Sequence, residues 1–164
     1  MGGNTMYQKI IEYAEALDGI SRERRRDFHR YPETAWLEMR TSAVIAKTLT
    51  ELGYEVLTGK DVCLESSRVG VPSPEELNEH AKRALLQGAP EEYLTEEMRE
   101  GFTGVIGILR CGDGPVTALR FDIDALGLTE DENAEHRPFA EGFSSRNPGM
   151  MHGCGHDGHA AIGL

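Results

Sequence analysis

An α/β fold is predicted by three features of this 164-residue sequence. Amphipathic helical stripes fill the first third, two β-rich segments follow residue 103, and a capped helical stretch separates them. A chain of this length makes one domain and buries roughly 70% of its unfolded surface, enough for a core without staples.

The elements follow in order. Met6, Ile10, Ile11, Ala14 and Leu17 fall on one helical stripe that the spacing ends at Gly19. Ser21 is an N-cap candidate for a second helix through Phe28 towards Tyr31, bounded by Pro32. A third helix carries Val44, Ile45, Leu49 and Leu52 on its apolar face and stops at Gly53. Residues 54–57 read as a short strand. Residues 71–100 read as a helical insertion. Ser73-Pro74-Glu75-Glu76 is a capping box with proline at the first helical position, Leu77, Ala81 and Leu85 form the stripe, and Gly88 ends it. A shorter helix is expected over residues 90–99. Strands are expected over residues 103–110 and 116–121, joined by the turn Cys111-Gly112-Asp113-Gly114-Pro115. Residues 157–164 read as the start of a helix without a C-cap, so the chain is expected to be the N-terminal part of something longer.

Composition excludes several functions. With 17 Lys and Arg against 28 Asp and Glu, the formal net charge is −11, which repels phosphate backbones and speaks against nucleic-acid binding. No apolar run approaches the roughly 18 residues of a membrane helix. Met1-Gly2-Gly3-Asn4 lacks a basic stretch followed by an apolar one, so no secretory leader is visible. Cys63, Cys111 and Cys154 are odd in number and widely spaced, which excludes a disulfide framework and suits a reducing cytoplasm. Neither G-x-G-x-x-G, a P-loop nor G-x-S-x-G is present.

Two clusters carry chemistry. Met151-His152-Gly153-Cys154-Gly155-His156-Asp157-Gly158-His159 packs three of the six histidines and one cysteine into eight residues from His152. Cys154 and His156 stand two apart, so in an extended segment both reach one ion, and thiolate with imidazole suits zinc, manganese less well for the sulfur. Leu119-Arg120-Phe121-Asp122-Ile123-Asp124 ends an apolar strand in two aspartates on one side; either ligates a cation or orients a ligating imidazole. Asp27-Phe28-His29-Arg30-Tyr31-Pro32-Glu33 is read more simply, with His29 packing or capping locally at a helix end. Arg22, Arg24, Arg25 and Arg26 lie among Glu15, Asp18, Glu23 and Asp27 and read as a paired, solvated face.

These three motifs together resemble the aminoacylase/carboxypeptidase-like metallo-amidohydrolases. Glu65-Ser66-Ser67-Arg68-Val69-Gly70-Val71-Pro72, Gly101-Phe102-Thr103-Gly104, His136-Arg137-Pro138-Phe139 and the insertion resemble that family's aminobenzoyl-glutamate branch. The resemblance implies that residues 1–164 are the N-terminal portion of a mixed-sheet, two-metal catalytic domain, whose lid and dimerisation domain lies outside this chain. It implies Cys154 and His156 as metal ligands and Asp124 as the active-site acid that orients or tunes the metals, with two divalent ions, zinc or manganese, per subunit. The general-base glutamate and remaining ligands are implied to come from later segments. Gly127 and Gly153 depart from the family's usual proline and alanine without removing a ligand. The implied reaction is hydrolysis of an N-acyl or N-aroyl amino acid, foremost p-aminobenzoyl-glutamate, in the cytoplasm, by a homodimer or a hetero-oligomer with a related subunit. Alternatives are another N-acyl amino acid or dipeptide substrate, or a non-catalytic metal-binding partner module.

Overall fold

The structure, a computed structural model, describes residues 5–164; the residues read for a leader, Met1 to Asn4, lie outside it. Its first element is one helix, α1 (Met6–Arg30), where two were expected. Thr5 caps it by accepting from Gln8 N at 3.3 Å. Gly19 does not end the helix: a glycine interior to a helix costs only about 1 kcal/mol, and both flanking segments are helical in their own right. The apolar stripe on the N-terminal half is exposed, with Ile10 at 58% and Leu17 at 52%. Burial begins at the other end, where Phe28 and His29 are enclosed.

Helix α2 (Met39–Glu51) ends before Gly53, as its spacing predicts, but buries Met39, Ala43 and Ala46 rather than the expected face, and Leu52 is exposed. Its start is capped from a distance. The buried carboxylate of Glu33 accepts from Arg40 N at 3.0 Å and Thr41 N at 2.8 Å, satisfying amides that have no partner within the helix. Strand β1 (Glu55–Thr58) follows.

The insertion is helical as expected. Ser73 Oγ accepts from Glu76 N at 3.2 Å and opens α3 (Pro74–Leu86), whose Leu77, Ala81 and Ala84 are buried. The next stretch splits into a 3₁₀ turn (Glu91–Tyr93) and α4 (Glu96–Arg99), because Thr95 takes the N-cap. The insertion is not a satellite: Leu77, Ala81, Ala84, Leu94 and Met98 form one core with Leu37, Met39, Ala43 and Ala46. Arg68 lies 3.4 Å above the buried Phe102 ring and ties the loop before α3 to it.

Strand β2 (Val105–Ile108) pairs antiparallel with β1, Glu55 opposite Ile108 and Thr58 opposite Val105. The second expected strand, residues 116–121, joins no ladder. A strand needs a neighbouring strand for its amides, and no described strand pairs with this one: Val116 is 95% exposed, while Phe121 sets its ring against Gly163 instead. The chain regains pairing just beyond. Ala125 N donates to Glu33 O at 2.7 Å, and Leu126 and Met151 exchange both backbone hydrogen bonds at 3.0 Å. A short helix not anticipated from sequence, α5 (Arg137–Ala140), precedes α6 (His156–Gly163), which packs against α1. Among the described residues no helix is long and apolar enough to cross a membrane.

Candidate metal centre

The Leu126–Met151 bridge brings the two chemistry-bearing motifs side by side. Residues 122–124 run up to one side of it and residues 152–156 leave from the other. Gly155 then turns the chain with φ 88°, a left-handed conformation costly for residues with a Cβ, and α6 starts at once with His156. His156 and His159 are three apart on one helix face, and their rings stack with centroids 5.2 Å apart.

Asp124 holds His156. Its Oδ1 lies 2.9 Å and its carbonyl oxygen 3.0 Å from His156 Nδ1. Both oxygens only accept, so the proton sits on Nδ1 and the lone pair is left on Nε2. Nε2 faces Asp122 Oδ2 at 3.9 Å, and His159 Nδ1 faces the same oxygen at 3.8 Å. Those separations are too long for hydrogen bonds. They lie within the roughly 4.2 Å that two ligand atoms span across one ion at about 2.1 Å each. Asp122, His156 and His159 together offer three ligand atoms within 4.8 Å of one another. One carboxylate and two imidazoles fit zinc or manganese. Arg120 pairs with the other oxygen of Asp122, Oδ1.

The motif residues are therefore distributed unevenly. His156 is central, and Asp124 touches it as an orienting carboxylate. Cys154 is exposed with its Sγ 3.8 Å from Asp124 O, adjacent to the three-ligand group and outside it. Asp122 and His159 take places that spacing alone left open, since their juxtaposition depends on α6 starting at His156.

A second cluster was not visible in the sequence. His29 neither caps nor packs locally: its Nδ1 lies 2.8 Å from Asp157 Oδ2 and its Nε2 2.8 Å from Glu130 Oε1. Burial works against its charged form, but the hydrogen bonds and charges of Asp157 and Glu130 outweigh it and raise its pKa. Burial pushes both acids up, yet their hydrogen bonds, from Gly158 N and His29 for Asp157 and from Ser145 N, His29 and His136 for Glu130, prevail and lower them. Beside them His152 is buried with neither ring nitrogen partnered, and burial depresses it to about 4. Nearer the core, burial lifts Glu38 to about 7 although Thr103 Oγ1 donates to it at 2.7 Å. No spacing rule links His29 to Asp157, 128 residues later.

Comparison with known proteins agrees with the motif resemblance. The family described as Peptidase family M20/M25/M40 matches residues 118–164, the segment holding the whole candidate centre. Over residues 118–164 the chain is therefore similar to members of that family. The chain is 48% identical over 141 residues to one of the subunits of p-aminobenzoyl-glutamate hydrolase from Escherichia coli, covering 85% of this chain and 32% of the relative. It is 47% identical over 156 residues to indole-3-acetyl-aspartic acid hydrolase of Enterobacter agglomerans, covering 94% of this chain and 36% of the relative. The crystal structure of an aminobenzoyl-glutamate utilization protein from Klebsiella pneumoniae superposes with a TM-score of 0.69 at 42% identity, over 72% of this chain and 30% of that one. The chain thus spans about a third of the length of the curated relatives it matches.

Proposed function

We propose that the protein is a metal-dependent amidohydrolase that cleaves the amide bond of an N-acyl or N-aroyl amino acid, p-aminobenzoyl-glutamate to p-aminobenzoate and glutamate. The observation that carries this is the convergence of Asp122, His156 and His159 with Asp124 on His156 Nδ1. A divalent ion bound there supplies Lewis acidity towards the amide carbonyl and a water acidified to near neutral pKa. Asp124 keeps His156 in the tautomer whose Nε2 lone pair is free, and Asp122 offers a charged oxygen to the same point. Cys154, two residues before His156 and exposed, completes the proposed ligand set with it. Two ions per subunit, zinc or manganese, are part of this reading.

The substrate class draws on relatives whose names give an aminobenzoyl-glutamate and an indole-3-acetyl-aspartate as substrates. Both are amides of an acidic amino acid. We further propose that residues 1–164 are the N-terminal portion of the catalytic domain, with residues 71–100 as an insertion. The whole enzyme then works in the cytoplasm as a homodimer or beside a related subunit. The three unpaired cysteines of this chain suit that compartment.

Equilibrium dialysis against zinc and manganese tests the centre. His156→Ala and Asp122→Asn should each lower retained metal at least tenfold; unchanged metal in both overturns it. Release of p-aminobenzoate from p-aminobenzoyl-glutamate by the whole enzyme, abolished by a chelator and restored by metal, tests the reaction. Metal retention without turnover of either acidic amide favours a binding module.

A further inference from the structure

The His29 cluster is outside the candidate centre, yet it grips the same helix. His29 is 5% exposed near the end of α1, and each ring nitrogen faces a buried carboxylate at 2.8 Å. Carboxylates only accept, so both nitrogens carry protons and the ring is an imidazolium. One of its partners, Asp157, is fully buried and stands next to His156 in the first turn of α6. Arg25 Nε supports Asp157 at 3.2 Å. The other partner, Glu130, also accepts from His136 Nε2 at 2.8 Å and from Ser145 N. A single buried cation therefore ties together α1, the loop around residues 130–145 and the first turn of α6.

Geometry makes this grip one-sided and complementary to the metal face. Successive helix residues point about 100° apart. Asp157 is turned into the α1 interface while His156 is turned towards Asp122 and Asp124. The first turn of α6 is thus held from two directions, by His29 through Asp157 and by Asp124 through His156. Few other fixings are available to it: Gly155 provides no side-chain cap and Gly158 offers no side chain. His152, 6.5 Å away between ring centroids, has no hydrogen-bond partner on either ring nitrogen and makes no such link.

We propose that His29 is a positioning residue for the candidate metal centre, its imidazolium locking the first turn of α6 through Asp157 so that His156 and His159 face Asp122. This rests on the metal reading above; His29 itself touches none of the proposed ligands.

The test uses the 164-residue chain with His29→Gln and Asp157→Asn. Amide hydrogen exchange is read over His156–Gly163, β2 and α3, and Co²⁺ affinity by its visible absorption. Both variants should speed exchange in α6 at least tenfold while β2 and α3 stay within twofold. The Co²⁺ dissociation constant should rise roughly 10–100-fold, the size usual when an outer partner of a ligand is lost. Arg25→Ala, which leaves His29 on Asp157, should change both readouts less than threefold. Unchanged α6 exchange in both variants overturns the proposal even if Co²⁺ binds normally. Equal loosening of β2 and α6, or loss of the fold in both, also overturns it, because His29 would then stabilise the whole chain. If α6 loosens selectively but the parent chain takes no Co²⁺, the metal reading fails and the clamp on α6 stands.

Discussion

Two histidine clusters lie on opposite faces of α6 and are made of the same groups, yet they are built for different ends. In the closed one, His29 and His136 reach Glu130 at 2.8 Å and His29 reaches Asp157 at 2.8 Å, so every proton lies between two heavy atoms. In the open one, His156 Nε2 and His159 Nδ1 stand 3.9 and 3.8 Å from Asp122. An ångström separates a proton-filled cluster, which fixes backbone, from one with room for an ion. Burial follows the same division: Asp157 is inaccessible, while His159 is exposed.

The contrast can be broken most severely at the open cluster. His156→Ala removes the one residue that both Asp122 and Asp124 address. Calorimetric titration with zinc should show binding weakened by at least 100-fold, with far-ultraviolet dichroism unchanged. Cys154→Ala should weaken binding as well, and an unaltered isotherm would confine the ligands to Asp122, His156 and His159.

Glu38 sharpens the contrast: it is a buried acid with a hydroxyl partner, and the charges that act on it, those of Glu33 and Asp124, are negative. Its folded pKa, about 7, is above the ordinary 4.5, so its contribution is fully present below about pH 4.5 and lost as pH rises through 7. Glu38→Gln should therefore raise the melting temperature at pH 8 relative to the parent, by an effect on the order of 3 kcal/mol, and much less at pH 4.5. Equal shifts at both values would remove ionisation as the cause. The closed cluster responds in the opposite sense on its acidic side. Glu130 and Asp157 have lowered pKa values, so their contribution is present above their ordinary pKa and lost as pH falls below it. Since His29 is raised, its share is complete below about 6.5 and lost as pH climbs beyond.

Asp124→Asn should have a middling effect. The amide still reaches His156 Nδ1 but no longer dictates its proton, so zinc affinity should fall roughly 10–100-fold with the melting temperature nearly unchanged. The smallest effect is expected at Gly153. A Cβ there meets Leu128 Cδ1 at 3.4 Å, ordinary contact, so Gly153→Ala should leave metal affinity and stability within measurement scatter.

What was legible in the sequence was what local chemistry decides. Ser73 and Pro74 start α3 by capping, β1 and β2 follow their apolar runs, and Gly53 closes α2. The continuity of α1 through Gly19 was not legible, because a mild local penalty is overruled by two good helical flanks. Residues 116–121 have strand composition, but pairing is a property of neighbours rather than of the segment. At the site, alternate spacing marked Asp122 with Asp124 and Cys154 with His156, and only the family resemblance set Asp124 apart. The partnership of His159 with Asp122 required the position of the α6 start, and His29 required a contact across most of the chain.

The uninterrupted run of α1 has a thermal consequence. From Thr5 to Ile20 every residue is exposed, whereas the segment beyond is anchored on α6. At sixteen residues this stretch is barely longer than the roughly 12–15 below which isolated helices are marginal in water even for alanine-rich sequences. The outer turns should thus obey a helix–coil equilibrium of their own, melting gradually as the anchored turns await the cooperative transition. Ellipticity would decline along a slope before any step, and Gly19 sits at the border between the two regimes. Replacing it with alanine, worth about 1 kcal/mol to an exposed helix, should flatten the slope without moving the step.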